Sequence, residues 1–449
     1  MGKLFGTDGI RGVVNAGLDA ELAYKVGLAA AQVLREENGT KPLVAIGKDT
    51  RISSDLLEGA LVAGLCSAGS DVLHLGVVPT PAVAWVTVDR GAAAGVVISA
   101  SHNPFEHNGI KIFNGQGFKL SDELEGRIED IVLAGAQMPR ATHEHIGKVF
   151  YTEDRARDDY IGHLAATVGG GLTGLRILVD CANGAASATA PQLFDRFEDL
   201  HCDVINADPD GININANCGS THLDGLAAMV KAGGYDVGIA FDGDADRCLA
   251  VSEEGTPIDG DQIMAVCGRA LKAEGRLKGN TIVATVMSNI GLHRFGAGNG
   301  IHVVCTDVGD RNVLERMLRD GFILGGEQSG HAIFLEHSTT GDGELTALQF
   351  LSVLQASGLR ASELVRDCRQ YPQVLVNVAV TDNAQKQRIM DSETLKAAIS
   401  DREEALRDTG RILVRPSGTE ALIRVMVEAE TAQEAARCAE ELANLIKTL

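Results

Sequence analysis

Short apolar runs alternate with helix-like stretches through most of this chain, and that alternation constrains its fold more than any other feature. The strand-like runs lie at 43–48, 72–76, 95–100, 175–180, 203–205, 236–241, 281–286, 302–305 and 322–325, and helix-like stretches include 20–35, 55–68, 155–167 and 344–356. This βαβ pattern is typical of parallel sheets covered by helices. From Pro372 onward apolar and polar residues alternate, which predicts an antiparallel sheet in an α+β domain.

The length of the chain predicts several domains. It has 449 residues, whereas one domain commonly holds about 100–200. We predict an α/β protein with three similar α/β domains built on mixed sheets, at 1–150, 151–254 and 255–368, and a C-terminal α+β domain at 369–449. Because ligands of open α/β sheets bind at the carboxyl ends of the strands, we expect the domains to surround a central active-site cleft.

Charge and composition exclude several classes of function. Forty Lys and Arg residues against sixty-one Asp and Glu residues leave a net charge of −21, which disfavours a nucleic-acid or anionic-membrane surface. The nine cysteines are scattered and form no CxxC motif, so we expect a reducing compartment. No stretch resembles a signal peptide or a membrane span. We therefore expect a cytoplasmic protein with neither a nucleic-acid nor a membrane partner.

The stretch DVGIAFDGDADRCLAV contains the strongest candidate for a metal site. A buried strand leads into Asp242, Asp244 and Asp246 at alternating positions, so three carboxylates can converge on one hard cation, for which Mg²⁺ is predicted. The alternatives are a solvated acidic turn that binds no metal and a calcium-binding EF-hand loop, which would add Glu253 as its last ligand. Arg247 stands where that loop requires glycine, and the flanks are strand-like rather than helical.

Ser101 lies at the end of another buried strand, in the stretch GVVISASHNPFEHNGIK. A hydroxyl at the carboxyl end of a strand could be a nucleophile, or it could belong to an ordinary turn. The GxSxG elbow of hydrolases is missing, so a Ser-His-Asp triad is not supported. His102 and Lys111 are candidate proton carriers, although His102 could merely orient the loop and Lys111 could act only through its charge.

The loop GGEQSGH follows a third strand-like run and places Glu327, Ser329 and His331 between glycines. A carboxylate, a hydroxyl and an imidazole could together bind a polyol such as a sugar ring. The alternative is a glycine-rich turn without a ligand. This loop alone does not distinguish the two.

Two further loops offer groups for binding phosphate. In RPSGTEALIR, the side chains of Arg415, Ser417 and Thr419 and the backbone around Gly418 could form a phosphate site, the alternative being an ordinary hairpin loop. The opening FGTDGIRGVVN combines closely spaced glycines with the cationic Arg11. A serine, a metal site, a sugar-binding loop and a phosphate clamp are suitable parts for phosphoryl transfer.

Five of these motifs occur in the order found in the α-D-phosphohexomutase superfamily, which the whole chain resembles: FGTDGIRG, ISASHNP with NGIK, FDGDADR, GGEQSGH and RPSGTE. Further stretches, among them DCANGAAS and TTGDGELTALQ, resemble the bacterial branch that acts on glucosamine phosphates. The resemblance implies interconversion of glucosamine 6-phosphate and glucosamine 1-phosphate, which supplies UDP-N-acetylglucosamine for cell-wall precursors. A phosphomannomutase/phosphoglucomutase of the same superfamily is the closest alternative, and a non-catalytic calcium-binding protein is a distant one.

The resemblance also implies roles for individual residues. Ser101 would carry a phosphoryl group, pass it to the sugar phosphate and so form a 1,6-bisphosphate, which also serves as activator. A phosphate oxygen on Ser101 and the three aspartates would hold Mg²⁺. The roles implied for other residues are phosphoryl-charge stabilisation by Arg11 and Arg247, sugar binding by Glu327, Ser329 and His331, and binding of the non-reacting phosphate by Arg415, Ser417, Gly418 and Thr419. A homodimer is expected on the same ground.

Overall fold

The computed structural model describes residues 4–6, 8–135, 138–169, 171–417 and 421–449, apart from the side chain of Asp408. These residues form two compact units. The first comprises the described residues of Met1–Met287 and Ile301–Arg366, and the second comprises those of Ser288–Gly300 and Asp367–Leu449. None of the helices in the described part of the chain is both long and apolar enough to cross a bilayer.

The first sheet of the first unit has six strands. They are β1 (Ile10–Val13), β2 (Leu43–Lys48), β3 (Asp71–Val77), β4 (Ala94–Ile98), β5 (His107–Asn114) and β6 (Val149–Tyr151), in the order β1-β5-β4-β2-β3-β6. Strands β2, β3, β4 and β6 pair in parallel, whereas β5 is antiparallel to both its neighbours. The helices of this region are α1 (Ala20–Asn38), α2 (Ser54–Ser67), α3 (Thr80–Asp89) and α4 (Asp122–Ala134).

The second sheet has five strands, β7 (Arg176–Asp180), β8 (His201–Ile205), β9 (Val237–Phe241), β10 (Cys248–Ser252) and β11 (Pro257–Ile258), in the order β11-β10-β9-β7-β8. Its helices are α5 (Glu153–Ala166), α6 (Ala190–Phe194) and α7 (Asp224–Gly233). Strands β7, β8 and β9 are parallel, and β10 returns antiparallel beside β9.

The third sheet has four strands, β12 (Thr281–Thr285), β13 (His302–Thr306), β14 (Leu324–Gly326) and β15 (Ala332–Phe334), in the order β13-β12-β14-β15. The helices along this stretch are α8 (Gly260–Ala273), α9 (Ile290–Asn299), α10 (Asp310–Asp320), α11 (Gly343–Ser357) and α12 (Ala361–Leu364). Helix α9 belongs to the second unit.

The second unit contains a three-stranded antiparallel sheet. Its strands are β16 (Gln373–Ala379), β17 (Arg411–Pro416) and β18 (Leu422–Glu428), in the order β16-β18-β17, with helices α13 (Asn383–Asp391), α14 (Glu393–Leu406) and α15 (Ala432–Thr448). Apolar residues of α15 and the sheet form its core. The predicted change to an α+β architecture near Pro372 is thus confirmed.

Three central strands of the first unit are completely buried and lead directly into the candidate loops. Strand β4 precedes Ser101, β9 precedes Asp242, and β14 precedes Glu327. Continuous burial is typical of strands covered on both faces. The predicted α/β class with mixed sheets is confirmed, but the βαβ pattern missed the antiparallel strands β1, β5, β11 and β15, which contribute to the mixed pairing.

Candidate active site

Ser101 lies three residues beyond Ile98, the last residue of β4, and is only 2% exposed. Its backbone N–H donates a hydrogen bond to the Ser99 hydroxyl at 2.9 Å, and its φ of +51° is unusual for a residue other than glycine. The Ser101 hydroxyl donates to Asp242 Oδ2 at 2.6 Å. The structure therefore brings the predicted nucleophile onto the predicted metal loop, from a different sheet.

The metal loop, Asp242 to Asp246, connects β9 and β10. Its three aspartates are buried, and each offers a carboxylate oxygen within 4.8 Å of those of the others. Asp244 Oδ2 accepts a hydrogen bond from the Thr80 hydroxyl at 2.7 Å. One buried oxygen each of Asp244 and Asp246 has no hydrogen-bond partner within the described ranges. Oxygens so placed suit a hard divalent cation.

The electrostatics of the metal loop also fit a cation. Burial raises the pKa of Asp242 well above its usual range, and Asp246 and Asp244 add to the rise. Burial acts in the same sense on the pKa of Asp244, but Lys111 and the Thr80 hydroxyl lower it overall. Because the buried carboxylates repel one another, a divalent ion bound among them would stabilise the ionised forms.

The calcium-loop alternative requires Glu253 as a further ligand. Glu253 instead accepts hydrogen bonds from the backbone N–H of Ser362, at 3.1 Å, and from the Ser362 hydroxyl. The loop is flanked by the strands β9 and β10 and not by helices. This geometry is incompatible with an EF-hand.

A cluster of charges centred on Asp8 supplies cations to the site. The Asp8 carboxylate forms ion pairs with Arg11, with Lys111 at 3.3 Å and with Lys119 at 2.8 Å. Lys119 also contacts Asp310 at 2.6 Å. Arg11 and Lys111 were predicted from the sequence, whereas Asp8 was not, although it lies within FGTDGIRG. Asp310 lies in VGDRNV, another stretch that resembles the glucosamine-phosphate branch, but no role was predicted for it. Lys119 had no comparable motif signal.

Lys111 is the most enclosed of these cations, with 4% of its surface exposed. Its Nζ lies 3.8 Å from both Asp244 and Asp246. Burial acts to lower the pKa of Lys111, but Asp8, Asp244 and Asp246 outweigh it and raise the pKa overall. Lys111 therefore remains a cation beside the metal loop.

His102 and Arg247 complete the surroundings of Ser101. His102 Nδ1 lies 3.4 Å from Ser101 Oγ. Burial, with Arg247 and Arg11, lowers the pKa of His102 to about 4. The backbone N–H of Arg247 donates to Asp242 Oδ1 at 3.2 Å, and its guanidinium Nε lies 3.8 Å from Asp246. A neutral imidazole and a guanidinium thus face the hydroxyl and the triad.

The sugar-binding candidates lie in the turn between β14 and β15. The Glu327 carboxylate accepts from the Gly309 N–H at 3.2 Å, and Ser329 is exposed. His331 is 3% exposed, and neither ring nitrogen has a hydrogen-bond partner in the described part of the chain. Its Nε2 lies 3.9 Å from Asp310, which brings this loop to the Asp8 cluster.

The phosphate-clamp candidates lie in the second unit. Arg415 is half-buried on β17, and Ser417 follows that strand with 4% of its surface exposed. The Ser417 carbonyl accepts a hydrogen bond from Lys386 Nζ at 2.7 Å. Gly418 and Thr419 lie outside the described residues.

Comparison with known proteins identifies the family of the chain. Four sequence models of the phosphoglucomutase/phosphomannomutase family match the chain: alpha/beta/alpha domain I at residues 2–138, domain II at 158–255, domain III at 259–371 and the C-terminal domain at 375–445. The chain belongs to the phosphoglucomutase/phosphomannomutase family. The resemblance inferred from the five motifs is confirmed.

Curated relatives of this chain carry a more specific name than the family. A phosphoglucosamine mutase of Acetivibrio thermocellus is 53% identical over 450 residues, which cover 100% of this chain and 99% of the relative. One of Ruminiclostridium cellulolyticum is 51% identical, with 100% and 99% covered.

Solved structures share the fold. A phosphoglucomutase/phosphomannomutase family protein of Burkholderia thailandensis has a TM-score of 0.82 at 24% identity, covering 100% of this chain and 98% of that one. The Aspergillus fumigatus N-acetylphosphoglucosamine mutase, solved with GlcNAc-6P and magnesium, has a TM-score of 0.71 at 19% identity, covering 100% and 96%.

Proposed function

We propose that this chain interconverts glucosamine 6-phosphate and glucosamine 1-phosphate, with the transferred phosphoryl group carried on Ser101. The observation that carries the proposal is the 2.6 Å hydrogen bond from Ser101 Oγ to Asp242 Oδ2, at a triad of buried carboxylates. Phosphoryl transfer depends mainly on positioning and on neutralising negative charge. A serine hydrogen-bonded to a carboxylate triad, which a buried ammonium and a half-buried guanidinium also approach, meets both requirements.

The reaction proceeds in two transfers. The free hydroxyl of the sugar monophosphate attacks the phosphorus on Ser101, the P–Oγ bond breaks, and the proton of the sugar hydroxyl passes to Ser101 Oγ. This yields a sugar 1,6-bisphosphate and unmodified Ser101. After the bisphosphate reorients, the Ser101 hydroxyl attacks the other phosphorus, the P–O bond to the sugar breaks, and the Ser101 proton passes to the departing sugar oxygen. The isomeric monophosphate is released and the phosphoserine is regenerated.

The geometry suggests a division of labour around Ser101. Lys111, paired with three carboxylates, stabilises the charge of the transferring phosphoryl group, and Arg11 and Arg247 add to that field. His102, 3.4 Å from the hydroxyl, is the candidate for moving its proton. Mg²⁺ held by Asp242, Asp244 and Asp246 would neutralise phosphoryl oxygens when bound.

The remaining loops would hold the substrate. Glu327 and Ser329 would contact sugar hydroxyls, with His331 beside them. Arg415, Ser417, Gly418 and Thr419 would bind the non-reacting phosphate, and we expect Arg415→Ala to raise KM for the phosphosugar in both directions of the reaction. An unchanged KM would remove Arg415 from the phosphate site.

The identity of the sugar is supported by the curated relatives, which are named phosphoglucosamine mutases. It is tested by measuring kcat/KM for glucosamine 1-phosphate, glucose 1-phosphate and mannose 1-phosphate, with Mg²⁺ and a trace of sugar 1,6-bisphosphate as primer. We expect a strong preference for the aminosugar. Equal or better turnover of glucose or mannose phosphate would move the chain to the phosphomannomutase/phosphoglucomutase alternative.

We also propose that the chain is a cytoplasmic homodimer of four-domain subunits, divided at 1–150, 151–254, 255–368 and 369–449. The residues matched by the four family models support this division to within a few residues, since the matches to domains II and III end at 255 and 371. Light scattering would measure the mass in solution, and limited proteolysis would locate the domain boundaries.

A further inference from the structure

The backbone of the loop that carries Ser101 is bound by Arg51, a residue that none of the sequence motifs indicated. Arg51 follows β2 in the sequence, and its side chain is completely buried. Its Nη2 donates hydrogen bonds to the carbonyl oxygens of Ser101, at 2.8 Å, and Asn103, at 2.9 Å, and its Nη1 donates to that of Pro104, at 2.7 Å. One guanidinium thus binds three carbonyls within four residues.

Asp49 fixes the orientation of this guanidinium. Arg51 Nε donates to Asp49 Oδ2 at 2.8 Å, and Asp49 Oδ1 accepts from the Arg51 N–H at 3.0 Å and from the Ser54 hydroxyl at 2.9 Å. The Asp49 side chain is also completely buried. The planar guanidinium suits this arrangement, because a lysine ammonium offers only three donors from one atom.

A second side chain, that of Asn215, binds two of the same carbonyls. Asn215 Nδ2 donates to the carbonyl oxygens of Ser101, at 3.0 Å, and Asn103, at 3.2 Å. Gly243 of the metal loop packs so closely that an added Cβ would lie 2.6 Å from the Ser101 carbonyl oxygen. The backbone at Ser101 is therefore restrained by Arg51, by Asn215 and by the metal loop.

These restraints act where the backbone is unfavourable. Ser101 has a φ of +51°, and such conformations of residues other than glycine persist only when the surroundings impose them. In this conformation the Ser101 hydroxyl lies 2.6 Å from Asp242. A small rotation of the loop would move the phosphoryl-carrying oxygen away from the triad.

We propose that Arg51 is a positioning residue for phosphoryl transfer, which locks residues 101–104 in the conformation that places Ser101 Oγ against Asp242. This inference rests on the proposed function, in which Ser101 carries the phosphoryl group. The hydrogen bonds and the ion pair of the Arg51 side chain go to Asp49 and to the carbonyls of the loop, so that Arg51 acts through the loop backbone. Its loss should therefore slow transfer without weakening binding of the sugar phosphate.

The test is the steady-state kinetics of Arg51→Lys with the parent's preferred phosphosugar. We expect kcat to fall by about tenfold or more, because misplacing a reacting group by about 1 Å can cost some 100-fold, while KM stays within about twofold. Arg35→Lys is the matched control: Arg35 also donates to a backbone carbonyl, that of Ala68, in the same unit. We expect parental kcat and KM for this control.

Circular dichroism establishes whether each variant is folded at the assay temperature. A folded Arg51→Lys enzyme with kcat within about twofold of the parent's would overturn the inference. So would a fall in kcat that the Arg35→Lys control reproduces. If Arg51→Lys does not fold, Asn215→Ala decides: a lower kcat with unchanged KM supports positioning through these carbonyls, and an unchanged kcat overturns it. A parent without mutase activity would instead refute the proposed function.

Discussion

Two buried acidic clusters in the first unit differ in the groups that face them. The metal-loop cluster consists of Asp242, Asp244 and Asp246. The helix-start cluster consists of Asp342, which caps α11 by accepting from the Leu345 N–H at 2.9 Å, and Glu344 in the first turn of that helix. Both clusters are almost completely inaccessible to solvent.

Cations and the Ser101 hydroxyl face the metal-loop cluster, whereas the hydroxyls of Tyr160 and Thr189 face the helix-start cluster. Tyr160 donates to Asp342 Oδ2 at 2.8 Å, and Thr189 donates to Glu344 Oε1 at 2.5 Å. Burial raises the pKa of Asp342 to about 6 and that of Glu344 to about 8. Equally buried acids therefore differ in what they can do. Acids beside cations can hold a metal, whereas acids beside neutral donors are partly protonated and form hydrogen bonds within the packed interior.

The largest expected effect is on kcat. It should distinguish Ser101 from Thr189, whose hydroxyls each donate to a buried carboxylate. Ser101→Ala should lower kcat by roughly 10⁴-fold, because the phosphoryl carrier is lost, while the fold stays intact. Its counterpart Thr189→Ala should leave kcat unchanged and lower the free energy of unfolding by about 1–2 kcal/mol. Steady-state assays and urea denaturation measure both quantities. Normal turnover by Ser101→Ala would refute the phosphoserine mechanism.

Neutralising one acid of each cluster tests whether Mg²⁺ dependence belongs to the metal-loop cluster alone. Asp244→Asn should raise the Mg²⁺ concentration for half-maximal activity by roughly tenfold or more, because one anionic ligand is lost. Glu344→Gln should leave that concentration unchanged. Activity measured across a Mg²⁺ titration gives the comparison, and an Asp244→Asn enzyme with the parental metal dependence would contradict the assignment of the triad.

Glu344→Gln should also change how stability depends on pH. Glu344 has a folded pKa of about 8 against 4.5 for the ordinary group, so its contribution to stability is complete below pH 4.5 and is lost as pH rises through 8. The variant should therefore exceed the parent in free energy of unfolding by about 2–4 kcal/mol at pH 8 and by little at pH 4.5. Urea denaturation at both pH values measures the difference.

A control for this pH effect is Glu144→Gln, because the side chain of Glu144 is 80% exposed. It should follow the parent at both pH values. If Glu344→Gln did the same, the raised pKa assigned to Glu344 would be wrong.

The smallest expected effect concerns Tyr160. Tyr160→Phe removes the hydroxyl that donates to Asp342 but keeps the ring beside Trp85, whose centroid lies 6.2 Å away. The free energy of unfolding should fall by about 1 kcal/mol, with kcat unchanged. The midpoint of urea denaturation provides the measurement, and a change in kcat would show that the two clusters are not functionally separate.

Site residues that directly follow buried strands could be predicted from sequence motifs. Residues that contact the site from other parts of the chain could not. Ser101, Asp242 and Glu327 each follow a short apolar run, so strand-end logic selected them. Asp8 lies inside the motif FGTDGIRG but was not predicted as a site residue, because only the glycines and Arg11 of that motif suggested a role. Arg51 had no such signal, since its importance lies in backbone carbonyls some fifty residues further along the chain.

The sequence by itself determined the α/β class, the antiparallel C-terminal sheet and the loops that carry chemistry, because hydrophobic periodicity and turn residues are local properties of the chain. Tertiary structure alone decided the hydrogen bond between Ser101 and Asp242, 141 positions apart, and that between Thr80 and Asp244, 164 positions apart. It also decided which buried acids face cations and which face neutral hydroxyls. Such contacts arise from the packing of separate sheets, and local sequence patterns do not encode the distances between them.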